Sequence, residues 1–254
     1  MAITAQHALA SLVAIAAIAA AAVPAANGAE RPKRVLVFSH TTGFRHASIE
    51  PGVAALRKLA ARHGIAVQSS ENPALFRTEI LARFDAIIFL SSTTDPKKVE
   101  SEWLVGSRRD ALQAFVRRGG GIVGIHAATD SHYHWPWYGR LMGGRFASHP
   151  PGTPVGRLTV ADPAHPTTRG LAVTVRRADE WYYFDDYNPQ AKLLISLDPQ
   201  SIAQADVNPN PVSWTHTFGN ARVFYTAMGH TSESYSDPYF LRHVGQGLKW
   251  VLAK

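Results

Sequence analysis

The sequence contains no cysteine. Disulfides, thiolate metal sites, a cysteine nucleophile and a lipidated cysteine anchor are therefore all excluded. Charge is also sparse: 18% of the 254 residues are Asp, Glu, Lys or Arg, against 46% hydrophobic. That balance belongs to a globular chain and excludes disorder throughout. Glycine (19) and proline (16) are ordinary in number, so collagen-like and low-complexity architectures fall away. The net charge of +7 is dispersed in pairs such as Arg57-Lys58, Lys97-Lys98 and Arg117-Arg118. A nucleic-acid binder gathers such charge into a stripe, so no nucleic-acid partner is expected.

Residues 1–29 lack Asp, Glu, Lys and Arg altogether. Residues 8–23 are almost unbroken Ala, Leu, Ile and Val, small residues follow, and then comes the charged run Glu30-Arg31-Pro32-Lys33-Arg34. This is the plan of a secretory signal peptide, with cleavage expected after Ala25 or Ala29. The expectation is a periplasmic or secreted protein whose residues 30–254 form one domain. No stable membrane insertion is expected once the signal is removed.

The rest of the chain reads as α/β. Short runs at 35–38, 66–68, 86–90, 122–125 and 222–226 are expected strands, and 48–63, 109–118 and 237–252 expected helices. Alternation of the two predicts an open, mainly parallel sheet with helices on both faces, in a single domain. The stretch 145–215 is less regular. Strands are expected near 158–160, 173–175, 193–196 and 212–215, many of them antiparallel or peripheral, and residues 208–211 are expected to form a loop.

In open α/β sheets the ligand crevice lies beyond the carboxyl ends of the strands. The sequence places polar residues there. Strand one runs into Ser39-His40-Thr41-Thr42-Gly43-Phe44-Arg45-His46, strand four into His126-Ala127-Ala128-Thr129-Asp130, and the late strand into Met228-Gly229-His230. Topology is expected to bring His40, His126 and His230 to one edge. Gly124-Ile125-His126-Ala127-Ala128 has the small-residue frame of a nucleophile elbow, with histidine at its centre. An imidazole there suits an acid, a base or a metal ligand. Aromatic runs flank the edge: His132 to Tyr138 includes Trp137 and Tyr138, and Asp179 to Asp186 includes Glu180 and Tyr182. Such rings suit stacking on a sugar face, with nearby polar groups binding hydroxyls.

These motifs resemble the ThuA-like family, named for trehalose utilisation. The resemblance rests on Val35 to His46, Gly119 to Asp130, Trp135-Pro136-Trp137-Tyr138, Arg145 to Pro150, Asp179-Glu180-Trp181-Tyr182 and Arg222 to Thr231. It covers roughly residues 34 to 252. It implies a class I glutamine amidotransferase-like, flavodoxin-like fold, with His126 where those enzymes carry their cysteine. His230 stands near their catalytic histidine, with Glu233 following. It also implies carbohydrate metabolism, particularly of keto-sugars. The missing thiol excludes glutamine amidotransfer itself.

The expected function is an enzyme acting on a sugar or keto-sugar derivative by histidine acid/base chemistry. His126, His230, His40 and Glu180 are the expected catalytic groups, and Phe44, Arg45, His46, Asp130, Trp137, Tyr138, His149 and Tyr182 the expected substrate contacts. The alternative is a carbohydrate-binding module without chemistry. No organic cofactor is expected. A divalent metal on His40, His126 and His230 is a further alternative, three imidazoles with an open position being a known zinc pattern. The expected partner is a small carbohydrate, and a homo-oligomer is left open.

Overall fold

The computed structural model describes Ala2, residues 31–204 and residues 210–253. The expected signal peptide, both of its cleavage points and half of the 208–211 loop lie outside the described residues. In chain order the elements are β1 (Arg34–Phe38), α1 (Ile49–Ala61), β2 (Ala66–Ser70), α2 (Thr78–Leu81), β3 (Ala86–Leu90), α3 (Ser107–Arg117), β4 (Gly121–Ile125) and α4 (Pro136–Met142). They continue with β5 (Arg145–Ser148), β6 (Val155–Val160), β7 (Thr174–Ala178), β8 (Tyr183–Asp185), β9 (Lys192–Asp198), β10 (Pro211–Phe218), β11 (Ala221–Thr226) and α5 (Pro238–Leu252).

Nine strands form one sheet in the order β2-β1-β3-β4-β11-β10-β9-β6-β7, and β5 pairs with β8 apart from it. The first five run parallel. The last four continue the sheet antiparallel. Burial explains the division. Strands β3 and β4 are buried at every position, as parallel strands covered on both faces must be. Helix α5 covers one face and α4 the other: a methyl group added to Gly121 would meet Val251, and one added to Gly124 would meet Met142. Strand β6 instead alternates exposed and buried residues, so one face of the antiparallel half is open to water.

Helix boundaries differ slightly from expectation. Ser48 does not cap α1; its hydroxyl donates to the Gly229 carbonyl at 3.1 Å, tying the loop after β1 to the loop after β11. Asp237 caps α5 by accepting from the Tyr239 backbone N–H. Among the described residues, no helix is long and apolar enough to cross a membrane. The register aligns Phe38 with Phe89, Leu90 with Ile125, and Ile125 with Thr226. The segments 39–46, 91–95, 126–130 and 227–233 therefore leave the sheet along one edge.

Candidate active site at the carboxyl edge of the parallel strands

His126 follows the last residue of β4 with φ +51° and no exposed surface. Positive φ is strained for a side chain of this size. The neighbourhood enforces it. Gly124 lets the Tyr225 ring approach to where a Cβ would lie only 2.8 Å away. The Tyr225 hydroxyl donates to the His126 carbonyl at 2.6 Å and meets Thr129 Oγ1 at 2.9 Å. The elbow expected from Gly124, Ala127 and Ala128 is thus clamped from the neighbouring strand, β11.

The imidazole is oriented as firmly. Its Nδ1–H donates to the Ala227 carbonyl at 2.7 Å, which leaves Nε2 as the free nitrogen. The Tyr182 hydroxyl donates to Nε2 at 3.2 Å. His230 Nδ1 lies 3.1 Å from Nε2, and Glu180 Oε2 lies 3.4 Å from it. His230 Nδ1 is 3.2 Å from the same Glu180 oxygen, and His149 Nδ1 is 3.3 Å from the other one. The His46 ring stands edge-on to both, 4.8 Å from His126 and 5.2 Å from His230. One nitrogen or oxygen from each of His46, His126, Glu180 and His230 lies within 4.8 Å of the others.

Charge follows this geometry. Burial works to raise the Glu180 pKa, but the adjoining His126 and His230 imidazoles outweigh it, so its carboxyl is held well below the usual range. Glu180 in turn raises the pKa of His230. His46 is pushed down to about 3, by burial first and then by the neighbouring imidazoles.

Backbone contacts set the loop after β11. Gly229 has φ +116°, a conformation closed to ordinary side chains, and its N–H donates to Asp179 at 3.0 Å. The N–H groups of His230 and Glu180 donate to the other oxygen of Asp179, each at 3.0 Å. One buried carboxylate therefore fixes the backbone of two site residues.

A cleft of about 730 Å³ adjoins the cluster, lined by Thr42, Phe44, Asp130, Tyr133, Arg145 and Phe146 among others. Phe44 stacks edge-on against His46 at 4.8 Å, and Phe146 packs 4.3 Å from Tyr182. Asp130 accepts from the Tyr133 hydroxyl, and burial raises its pKa to about 6.

Several expected site residues lie elsewhere. His40 leaves β1 on the side of Phe38 and rests 5.7 Å from Trp103; it is not among the four groups of the cluster, and His46 occupies that place. The metal set His40, His126 and His230 is corrected accordingly. Arg45 pairs with Glu50 at 2.6 Å and Glu71 at 2.9 Å. Tyr138 is buried in the core, its hydroxyl donating to the Ala128 carbonyl, so it supports the elbow from beneath. Trp137 stacks on Trp135 and faces Phe218 at the opposite, amino edge of the parallel strands. Glu233 is exposed, and Glu180 supplies the carboxylate near His230 instead. Sequence reasoning missed Tyr133 and Phe146 as cleft residues. Their signal was position: each stands a few residues from Asp130 or His149.

A ThuA-like protein from Bacteroides uniformis superposes with TM-score 0.73 at 26% identity, over 91% of this chain and 96% of that one. A second, from Parabacteroides merdae, superposes with TM-score 0.68 at 18% identity, over 88% and 91%. PurLQS from Thermotoga maritima shares the fold alone, with TM-score 0.57 at 13% identity over 86% and 99%. The fold is accordingly that of the class I glutamine amidotransferases, with ThuA-like proteins among its structural neighbours. No curated protein matches the chain in sequence. The model of the ThuA family, described as trehalose utilisation, matches residues 34–251, and the chain belongs to that family.

Proposed function

We propose that this protein is an enzyme of carbohydrate metabolism that acts on a sugar or keto-sugar derivative, with proton transfer centred on His126, Glu180 and His230. The observation that carries the reading is the strained elbow: a fully buried histidine at φ +51° whose free nitrogen faces a carboxylate and a second imidazole. Holding a non-glycine residue in that conformation costs about 1–3 kcal/mol, and such strain concentrates at reactive sites. The family's description as trehalose utilisation supports the substrate class.

In this reading Nε2 of His126 takes a proton from the carbon beside a keto group, or from water, and His230 returns one to the departing oxygen. Glu180 holds the two rings in register. Phe44 and Phe146 offer ring faces to the sugar, and Asp130, Tyr133 and Arg145 offer polar groups to its hydroxyls. Turnover of 3-keto-disaccharides is the test. His126→Ala is expected to lose about 10²–10⁴-fold in rate, the usual contribution of a positioned acid or base. Equal turnover by variant and parent would remove His126 from the mechanism. Calorimetry that finds tight sugar binding, with the ligand recovered intact after long incubation, would convert the reading to a carbohydrate-binding module.

A further inference from the structure

Three atoms of the cluster form a nearly regular triangle: His126 Nε2 to His230 Nδ1 is 3.1 Å, His230 Nδ1 to Glu180 Oε2 is 3.2 Å, and Glu180 Oε2 to His126 Nε2 is 3.4 Å. A point equidistant from atoms so spaced lies about 1.9 Å from each. Displaced slightly from their plane, it reaches the ~2.0–2.2 Å of metal–imidazole and metal–carboxylate bonds. The fourth member, His46, is 97% buried by its 3% exposure, and its Nδ1 has no hydrogen-bond partner. One of its ring nitrogens lies within 4.8 Å of the other three donors, and an unpaired buried nitrogen is a cost that ligation can remove.

The surroundings of the donors are also those of ligands. His126 donates its other ring nitrogen to a backbone carbonyl, which fixes the tautomer that offers Nε2. The second oxygen of Glu180 lies 3.3 Å from His149 Nδ1, which itself donates to the Pro150 carbonyl at 2.8 Å. Three imidazoles and one carboxylate give a donor set that suits divalent first-row transition metals, whereas magnesium and calcium prefer all-oxygen sets.

We propose that His46, His126, Glu180 and His230 bind one divalent transition-metal ion as a three-nitrogen, one-oxygen centre. The binding proposal rests on the placement of the four donors; the ion's role rests on the enzymatic reading above. There the ion would polarise a keto oxygen of the sugar entering from the cleft or hold a water as the proton acceptor. With the ion bound, Nε2 of His126 would serve as a ligand, and the ion would supply the Lewis acidity or activated water that takes over its proton-accepting role.

The test uses untagged full-length protein stripped with chelator and titrated with zinc alone, then with manganese alone. One equivalent of zinc is expected, with Kd of about 1 μM or tighter and manganese weaker, in the order usual for such donors. His46→Ala and Glu180→Gln are each expected to weaken zinc at least about tenfold, since even outer-shell changes do so at such centres. His230→Ala removes the most exposed ligand and is the variant least able to disturb folding. His40→Ala is expected to leave affinity unchanged. Cobalt added in place of zinc is expected to give visible absorption bands that His46→Ala abolishes. Absence of stoichiometric uptake, or uptake indifferent to His46, Glu180 and His230 together, overturns the proposal. Stoichiometric uptake without turnover of any keto-sugar upholds the metal centre and removes the enzymatic reading. Turnover by a protein that takes up no metal does the reverse.

Discussion

His126 carries the only chemistry-bearing ring of the site held in the left-handed region, at φ +51°. The strain belongs to its Cβ, so substitutions at this position separate backbone cost from chemistry. His126→Gly and His126→Ala both lack the imidazole, but glycine adopts positive φ freely and alanine does not. We expect His126→Gly to be more stable than His126→Ala by about 1 kcal/mol in chemical denaturation, the reverse of their order in ordinary structure. A more stable alanine variant would show that the elbow relaxes and stores nothing. The elbow was legible in the sequence because its small frame, Gly124, Ala127 and Ala128, is local. The choice between His40 and His46 was not. It depends on the backbone N–H groups of Thr42 and Gly43 folding back onto the Thr93 carbonyl, a contact across 50 positions of sequence.

Among the elements, the connection from β7 to β8 governs the site through one side chain. Asp179 accepts from the backbones of Glu180, Gly229 and His230, from Ser234 Oγ at 3.3 Å, and from Arg177 at 3.1 Å. Arg177 is itself nearly buried and also pairs with Asp237 at 2.7 Å, so α5 is tied to the same hub. Asp179→Ala leaves three N–H groups without their acceptor and leaves the nearly buried Arg177 with Asp237 as its carboxylate partner. Removing one partner of a buried pair costs about 3–5 kcal/mol. The unfolding free energy should drop by that order, with Asp179→Asn intermediate because it keeps some acceptors. Denaturant titration measures it, and an alanine variant as stable as the parent would deny the hub. The sequence marked Asp179-Glu180-Trp181-Tyr182 as a motif within an aromatic run that reaches Asp186. Only Tyr183–Asp185 forms a strand, and Glu180 and Tyr182 nonetheless converge on His126. The aromatic run before it misled for a different reason. It folds as α4, whose turn sends Tyr138 into the core and Trp137 to the far edge.

At the scale of the whole molecule, the parallel half of the sheet was legible because strands buried on both faces write themselves as unbroken apolar runs. The antiparallel half, with one wet face, left a fainter alternation in the sequence. Stability across the molecule has its own titration. His243 of α5 donates from Nδ1 to the Thr167 carbonyl at 2.9 Å and meets Ser213 Oγ at 2.7 Å, with no exposure. Burial lowers its pKa to about 4; the Thr167 bond opposes this, while His165 and Arg177 push the same way as burial. The unfolded chain binds this proton near pH 6.5 and the folded chain only near pH 4. The resulting stability is therefore complete above about pH 6.5, declines as pH falls through that window and is lost below about 4, a difference of roughly 3 kcal/mol. Denaturation midpoints at pH 7.5 and 5 measure the slope, and His243→Gln should flatten it. An unchanged slope would assign the dependence to other groups.

The four converging groups come from positions 46, 126, 180 and 230, each on a different loop. No two are near neighbours along the chain, so an unfolded segment presents no partial version of the site. Whatever occupies it reads the state of the entire domain at once. A ligand that binds only the folded molecule raises its stability with the logarithm of the free ligand concentration. Damage anywhere that opens the sheet would release the occupant in a single cooperative step.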